Sequence, residues 1–171
     1  MQVVHEINPV WNSESTILIL GTMPSPASRN AGFFYMHPQN RFWSVLSEIF
    51  NETFIYKNNS DEPDRAIKER KEFLLRHKIA LWDVLSTCEI KGAEDSSIKN
   101  AVPNDFSEII NSSKIRRIFC TGKAAFSLYR KLCAKLYNIP FDYLPSTSPA
   151  NQAYWPKEKL VEEYKSKLIC L

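Results

Sequence analysis

The feature that most constrains this chain is the run Thr16-Ile17-Leu18-Ile19-Leu20, stopped by Gly21 and followed by Pro24 and Pro26. The run is continuously apolar instead of alternating, so it predicts a strand buried on both faces, as in a parallel sheet covered by helices. The two prolines fix φ and remove backbone donors, which predicts a stiff loop with no immediate helix. Such a loop leaves the carboxyl end of a core strand, the edge where open α/β sheets bind ligands. After it come Phe33-Phe34-Tyr35-Met36-His37, then Pro38, which suits a first helical turn. Phe42, Trp43, Val45, Leu46, Ile49 and Phe50 supply an apolar stripe at helical spacing. With His37 as the cap, Asn40 falls in the first turn of this helix. Side chains there lean toward the amino-terminal opening, so Asn40 is expected to face the loop after the strand.

The same alternation recurs along the chain. Asn51–Asp64 is polar and contains proline, which predicts a flexible surface loop, and Arg65–Lys78 reads as a charged helix whose basic residues solvate its outer face. A second strand is expected at Ile79–Leu85, followed by a long polar connection from Ser86 to Pro103. Asn104-Asp105 cap a short helix, Phe106–Asn111. A third strand at Ile115–Cys120 leads through Thr121-Gly122 into an amphipathic helix, Lys123–Tyr137. A fourth strand, Phe141–Leu144, runs into a second rigid polar loop, Pro145–Asn151, and Pro156 opens a last helix to the carboxyl end. Met1–Ser15 has no clear period and is expected to pack an aromatic on the domain edge. Four alternations specify a three-layer α/β/α sandwich around a four-stranded parallel sheet. At 171 residues this is one domain, residues 1–171, with no linker or repeat.

Charge and cysteines narrow the chemistry. A formal net charge of +3 permits a polyanionic partner without requiring one. Cys88, Cys120, Cys133 and Cys170 are scattered and read as buried or incidental thiols of a reducing compartment. With no signal pattern and no bilayer-length apolar run, a soluble, intracellular, cytoplasmic protein is expected. Phosphate-loop, dinucleotide and esterase motifs are missing, and the three histidines lack metal-ligand spacing.

What remains is GTMPSPASRN and LPSTSPAN, two rigid polar loops at strand ends, with the helix start HPQNRFW between them. Together these resemble the uracil-DNA glycosylase superfamily. GTMPS stands where that family has its Gly-x-[Asp/Asn]-Pro motif, and LPSTSPAN where it has [His/Asn]-Pro-Ser. GFFYMHPQNRFWSVL is similar to the mismatch-specific uracil glycosylases. The whole, with ALWDVLSTC and PNDF, is most similar to the hypoxanthine (deoxyinosine) DNA glycosylase branch, over Leu18–Trp155. Two positions depart from the pattern. Met23 replaces the catalytic Asp or Asn, and Leu144 replaces the His or Asn that donates to the leaving base.

The resemblance implies a monofunctional, cofactor-free and metal-independent base-excision enzyme, a monomer acting on DNA that carries a deaminated base. Hypoxanthine is the expected base. The alternatives are uracil in mismatches and a silent nucleic-acid binder. It assigns catalysis to Asn40, whose oxygen would hold water while its NH2 contacts sugar or base. Gly21, Thr22, Met23, Tyr35 and Asp83 would form the base pocket, with Tyr35 as the stacking aromatic. Asp83 would accept the N1–H of hypoxanthine or, equally, satisfy turn amides. Ser25, Ser28, Ser146, Thr147 and Ser148 suit close phosphate contact or ordinary turn chemistry. Arg29, Arg41 and Lys123 would add charge, and Ala150 or Asn151 would fill the gap left by a flipped base.

Overall fold

A computed structural model describes residues 1–169. The chain opens with a short strand, β1 (Gln2–Val4), and the apolar run forms β2 (Ile17–Gly21). Two helices follow, α1 (Pro26–Ala31) and α2 (Phe42–Phe50), then α3 (Pro63–Arg76) and β3 (Ile79–Asp83). A hairpin of β4 (Leu85–Lys91) and β5 (Glu94–Pro103) precedes α4 (Ser107–Asn111) and β6 (Arg117–Thr121). The chain closes with α5 (Lys123–Leu132), α6 (Ala134–Tyr137), β7 (Phe141–Leu144) and α7 (Lys157–Leu168).

The central sheet has the order β3-β2-β6-β7, all parallel, as the sequence predicts. Ile17 and Ile19 enter one apolar cluster with Phe42 and Trp43, whereas Leu18 and Leu20 enter the other with Ile118 and Tyr129. Burial on both faces is why the strand is apolar without alternation. From β2 the chain reaches β3 on one side, and β6 and β7 lie on the other. Strand order therefore reverses between β2 and β6, opening a crevice at their carboxyl ends.

The structure corrects several sequence expectations. The polar stretch Ser86–Pro103 is not a connection but most of the β4–β5 hairpin, and with β1 it makes a second, antiparallel sheet of order β1-β4-β5. Cys88 and Ile90 alternate inward against the second core cluster, and Gly92 takes φ 55° at the turn. The first proline loop contains a helix after all. Pro26 sits in the first turn of α1, where no donor is needed, and Ser25 caps it. The helix expected from Pro38 begins only at Phe42, and the single helix expected over Lys123–Tyr137 breaks at the buried Cys133. Trp11 packs against the second cluster, as expected of the amino-terminal segment.

Cys88, Cys120 and Cys133 are buried free thiols. Burial raises all three, Cys133 to about 11, so they stay protonated and inert near neutral pH. Cys170 lies outside the described residues. Among the described residues, no helix is long and apolar enough to cross a membrane.

Candidate active site

A cavity of about 300 Å³ opens where β2 and β6 end, within the ~300–1,000 Å³ usual for small-molecule sites. Its walls include Gly21, Thr22 and Met23 from the first loop and Asn40 from the turn before α2. Ser146 and Thr147 of the second loop and Thr121 from the end of β6 complete them. The two proline loops and the HPQN turn, distant in sequence, thus meet at one place.

Asn40 is the joint between them. Its Oδ1 accepts hydrogen bonds from the Phe42 amide and from the Thr147 hydroxyl, each 2.9 Å. The Phe42 donor fixes the amide's orientation, because only the oxygen can accept there. Both lone pairs of Oδ1 are therefore committed. This corrects the expectation that the oxygen holds the water. Among the described residues the Nδ2 group makes no hydrogen bond, so Asn40 offers the cavity a donor. Thr147 is 1 % exposed, and the bond to Asn40 consumes its hydroxyl. It is a brace, not a phosphate contact.

Arg41 clamps the same loop from behind. Its guanidinium donates to the Ser148 carbonyl (2.9 Å) and to the Trp155 carbonyl, and its amide donates to Thr147. Buried Tyr164 donates to the Pro145 carbonyl. Ser146 and Ser148 accept from amides of their own loop, and Asn151 Nδ2 donates to the Ser146 carbonyl. Much of the polar character of LPSTSPAN is turn chemistry that holds the loop rigid. Ser146 and Ser148 still line the cavity, and Ala150 is exposed beside them.

On the first loop, Ser28 is 2 % exposed and accepts from the Met36 amide at 3.2 Å, so it fixes the aromatic segment from the cavity wall. Ser25 caps α1. Arg29 donates to the Pro24 carbonyl at 2.8 Å, bracing the loop, and is not among the residues that line the cavity. Lys123 is exposed at the start of α5 and is not among the lining residues.

Tyr35 stacks on Phe42, ring centroids 4.0 Å apart, and its hydroxyl pairs with Thr121 Oγ1 at 2.8 Å. The residue is only half-buried, which leaves part of it to line the cavity. Burial of the phenol end, with Asp83 nearby, raises its pKa well above the usual value, so it stays a neutral hydrogen-bonding group. The Asn51–Asp64 loop, expected to be flexible, is tied to this segment. Arg70, 2 % exposed, donates to the Tyr56 carbonyl (3.0 Å) and Asn58 Oδ1 (2.9 Å). Asn58 Nδ2 in turn donates to the carbonyls of Tyr35 and His37. Arg70 is thus the exception to the solvated basic face expected of α3.

Asp83 lines the cavity, as expected of the base pocket, but among the described residues it satisfies no turn amide. Its Oδ2 pairs with His5 Nε2 at 2.7 Å, and both side chains are almost wholly buried. Its Oδ1 lies against Gly21, where an added Cβ would stand 2.4 Å away. His5 is a residue the sequence reading passed over, since nothing in the amino-terminal segment marks it. Asp95 is another. It comes from the unforeseen hairpin, lines the cavity, and accepts from Thr22 Oγ1 at 3.2 Å. The residue is exposed overall, but its carboxyl is turned inward, and desolvation with Asp83 close by raises its pKa. The alternation Cys88-Glu-Ile90 followed by a glycine turn was the signal that could have placed it.

Comparison with known proteins agrees with this geometry. The sequence model described as "Uracil DNA glycosylase superfamily" matches residues 9–169. A protein named hypoxanthine DNA glycosylase from Methanosarcina barkeri is 37% identical over 145 residues, 84% of this chain and 85% of that protein. Its namesake from Methanosarcina acetivorans is 28% identical over 145 residues, covering 85% of this chain and 86% of the relative. A solution NMR structure from Methanosarcina acetivorans, described as a candidate uracil DNA glycosylase, superposes with a TM-score of 0.77 at 27% identity. It covers 98% of this chain and 97% of its own. A family match over almost the whole chain, on a parallel sheet whose carboxyl edge carries both proline loops, places this protein in the uracil DNA glycosylase superfamily.

Proposed function

We propose that this chain is a monofunctional DNA glycosylase that extrudes a deaminated base, hypoxanthine foremost, into the cavity and hydrolyses its N-glycosidic bond. The observation that carries this reading is the Asn40–Thr147 hydrogen bond. It ties the HPQN turn to the second proline loop and leaves one amide donor for the cavity. The relatives named for hypoxanthine excision support the choice of base.

Cleavage passes through an oxocarbenium-like sugar while negative charge gathers on the departing base. Asn40 Nδ2–H is a donor for that charge, which makes its contribution larger in the transition state than in the ground state. The electrophile is cationic, so water needs position more than activation by a strong base. Tyr35 offers a ring to the base, and such stacking is worth ~1–3 kcal/mol. Incubation with hypoxanthine-, uracil- and xanthine-containing oligonucleotides tests the reading by the appearance of alkali-labile sites. Binding without cleavage of any of the three would make the protein a silent binder.

Uracil is the second reading, favoured by the uracil glycosylase description of the solved neighbour. Met23, 9 % exposed, lines the cavity where the superfamily pattern has a water-orienting Asp or Asn, and a thioether cannot orient water. Met23→Asn is expected to raise single-turnover excision of uracil several-fold by restoring an amide there. Unchanged or lower uracil activity counts against that geometry.

The second loop makes a further claim on kinetics. Asn151 spends its amide on the Ser146 carbonyl, so Ala150 is what stands at the mouth to fill the gap left by a flipped base. Exposed Tyr154 lies one turn beyond and does not line the cavity. A small wedge holds an unstacked duplex weakly, and extrusion costs a few kcal/mol, least where pairing is already weak. Hypoxanthine opposite thymine, or in a single strand, is expected to be cut faster than hypoxanthine opposite cytosine. Equal single-turnover rates on all three would show that extrusion does not limit cleavage.

A further inference from the structure

Two carboxylates border the cavity, and the fold buries Asp83 while leaving Asp95 accessible. Asp83 is held by His5 on one oxygen and packed against Gly21 with the other. Asp95 reaches the cavity from β5 of the small sheet, next to Gly92 and Ala93 of the hairpin turn, which also line it. The Thr22 hydroxyl donates to its Oδ2, and among the described residues Oδ1 accepts no hydrogen bond. Keeping a second carboxyl beside Asp83 in a partly desolvated wall opposes its ionisation, a cost that packing alone does not explain.

We propose that Asp95 is the specificity-determining residue, its carboxylate accepting the ring N–H that deamination creates. This rests on the glycosylase reading above and names the feature of the base that is recognised. Hydrolytic deamination turns an amidine, N=C–NH2, into a lactam, HN–C=O. At the ring nitrogen a lone pair becomes a donor: N1–H in hypoxanthine, formed from adenine, and N3–H in uracil, formed from cytosine. Adenine and cytosine keep the lone pair there, and a carboxylate facing it is repelled. One residue thereby reads deamination in purines and pyrimidines alike. Guanine also carries N1–H, so its rejection falls to its 2-amino group and the shape of the cavity.

A charge-assisted hydrogen bond of this kind supports roughly 10- to 100-fold discrimination. The test is binding, so that it stands apart from catalysis. Affinity is measured for duplexes carrying 2′-fluoro-substituted, non-hydrolysed hypoxanthine, N1-methylhypoxanthine or adenine, with the full chain and with Asp95→Asn and Asp95→Ala. The wild type is expected to prefer hypoxanthine to adenine by at least about tenfold. It is also expected to reject the N1-methyl base, although methylation weakens pairing and eases extrusion. Both preferences are expected to fall within about threefold in the two variants. Neither variant is expected to melt lower than the wild type, because removing this charge relieves the wall. A preference for hypoxanthine that survives in Asp95→Asn overturns the proposal, as does its absence in the wild type. Retained preference in a wild type that cuts none of the hydrolysable substrates would overturn the glycosylase reading and leave Asp95's role standing.

Discussion

Asn40→Ala is expected to lower single-turnover excision of hypoxanthine by on the order of 100- to 1,000-fold, the usual effect of removing one donor from a developing anion. The structure enlarges the small stability cost that a helix-start residue already implies. Oδ1 serves the Phe42 amide and the Thr147 hydroxyl, and Thr147 is buried. Losing the acceptor at the helix start costs ~1 kcal/mol, and the orphaned hydroxyl a further ~1–3 kcal/mol. Asn40→Asp separates the two roles. It keeps an acceptor for both donors, so the loop holds and the melting temperature stays close to wild type. It also replaces the free NH2 with a charged oxygen that repels the departing base, so excision is expected to fall again. Wild-type rates in Asn40→Ala would remove Asn40 from catalysis. Wild-type rates in Asn40→Asp alone would remove Nδ2 as the working atom.

Gly21→Ala is expected to be the most damaging single methyl in the molecule. An added Cβ would lie 2.4 Å from Asp83 Oδ1 and 2.9 Å from the Tyr35 hydroxyl. Neither neighbour can swing aside cheaply, since Asp83 is held by His5 and Tyr35 by Thr121. Overpacking of this kind costs ~1–3 kcal/mol. Relief comes only by moving Asp83 and Tyr35, both of which line the cavity. Displacements near 1 Å at a reacting site cost on the order of 100-fold in rate. Denaturation and single-turnover assays together decide the matter. A variant of normal stability and normal rate would show that the wall around Gly21 is softer than its contacts imply.

The parallel sheet was legible because its strands are buried on both faces, which forces continuous apolar runs such as Ile17–Leu20. The small sheet was not. β5 reads Glu-Asp-Ser-Ser-Ile-Lys-Asn-Ala-Val-Pro, a half-exposed strand with little apolar content, and β1 is only three residues long. Such strands form because a neighbour offers them hydrogen bonds, and a local pattern carries no record of that neighbour. His5 and Asp95 were missed for the same reason. Each sits on a segment whose partner lies far off in sequence, with His5 and Asp83 78 residues apart.

By itself the sequence determined the fold class, the two rigid loops at strand ends and the residue types at their tips. These follow from local chemistry: proline fixing φ, β-branched runs filling a core, and polar residues where a helix begins. Tertiary structure alone decided which atoms are free to act. Whether Asn40 offers oxygen or nitrogen depends on Thr147, 107 residues away. The availability of Asp83 depends on His5, and whether a second carboxyl faces the cavity depends on how the hairpin folds over it. A hydrogen-bonding group has few partners to give, and only the assembled fold shows which have been taken.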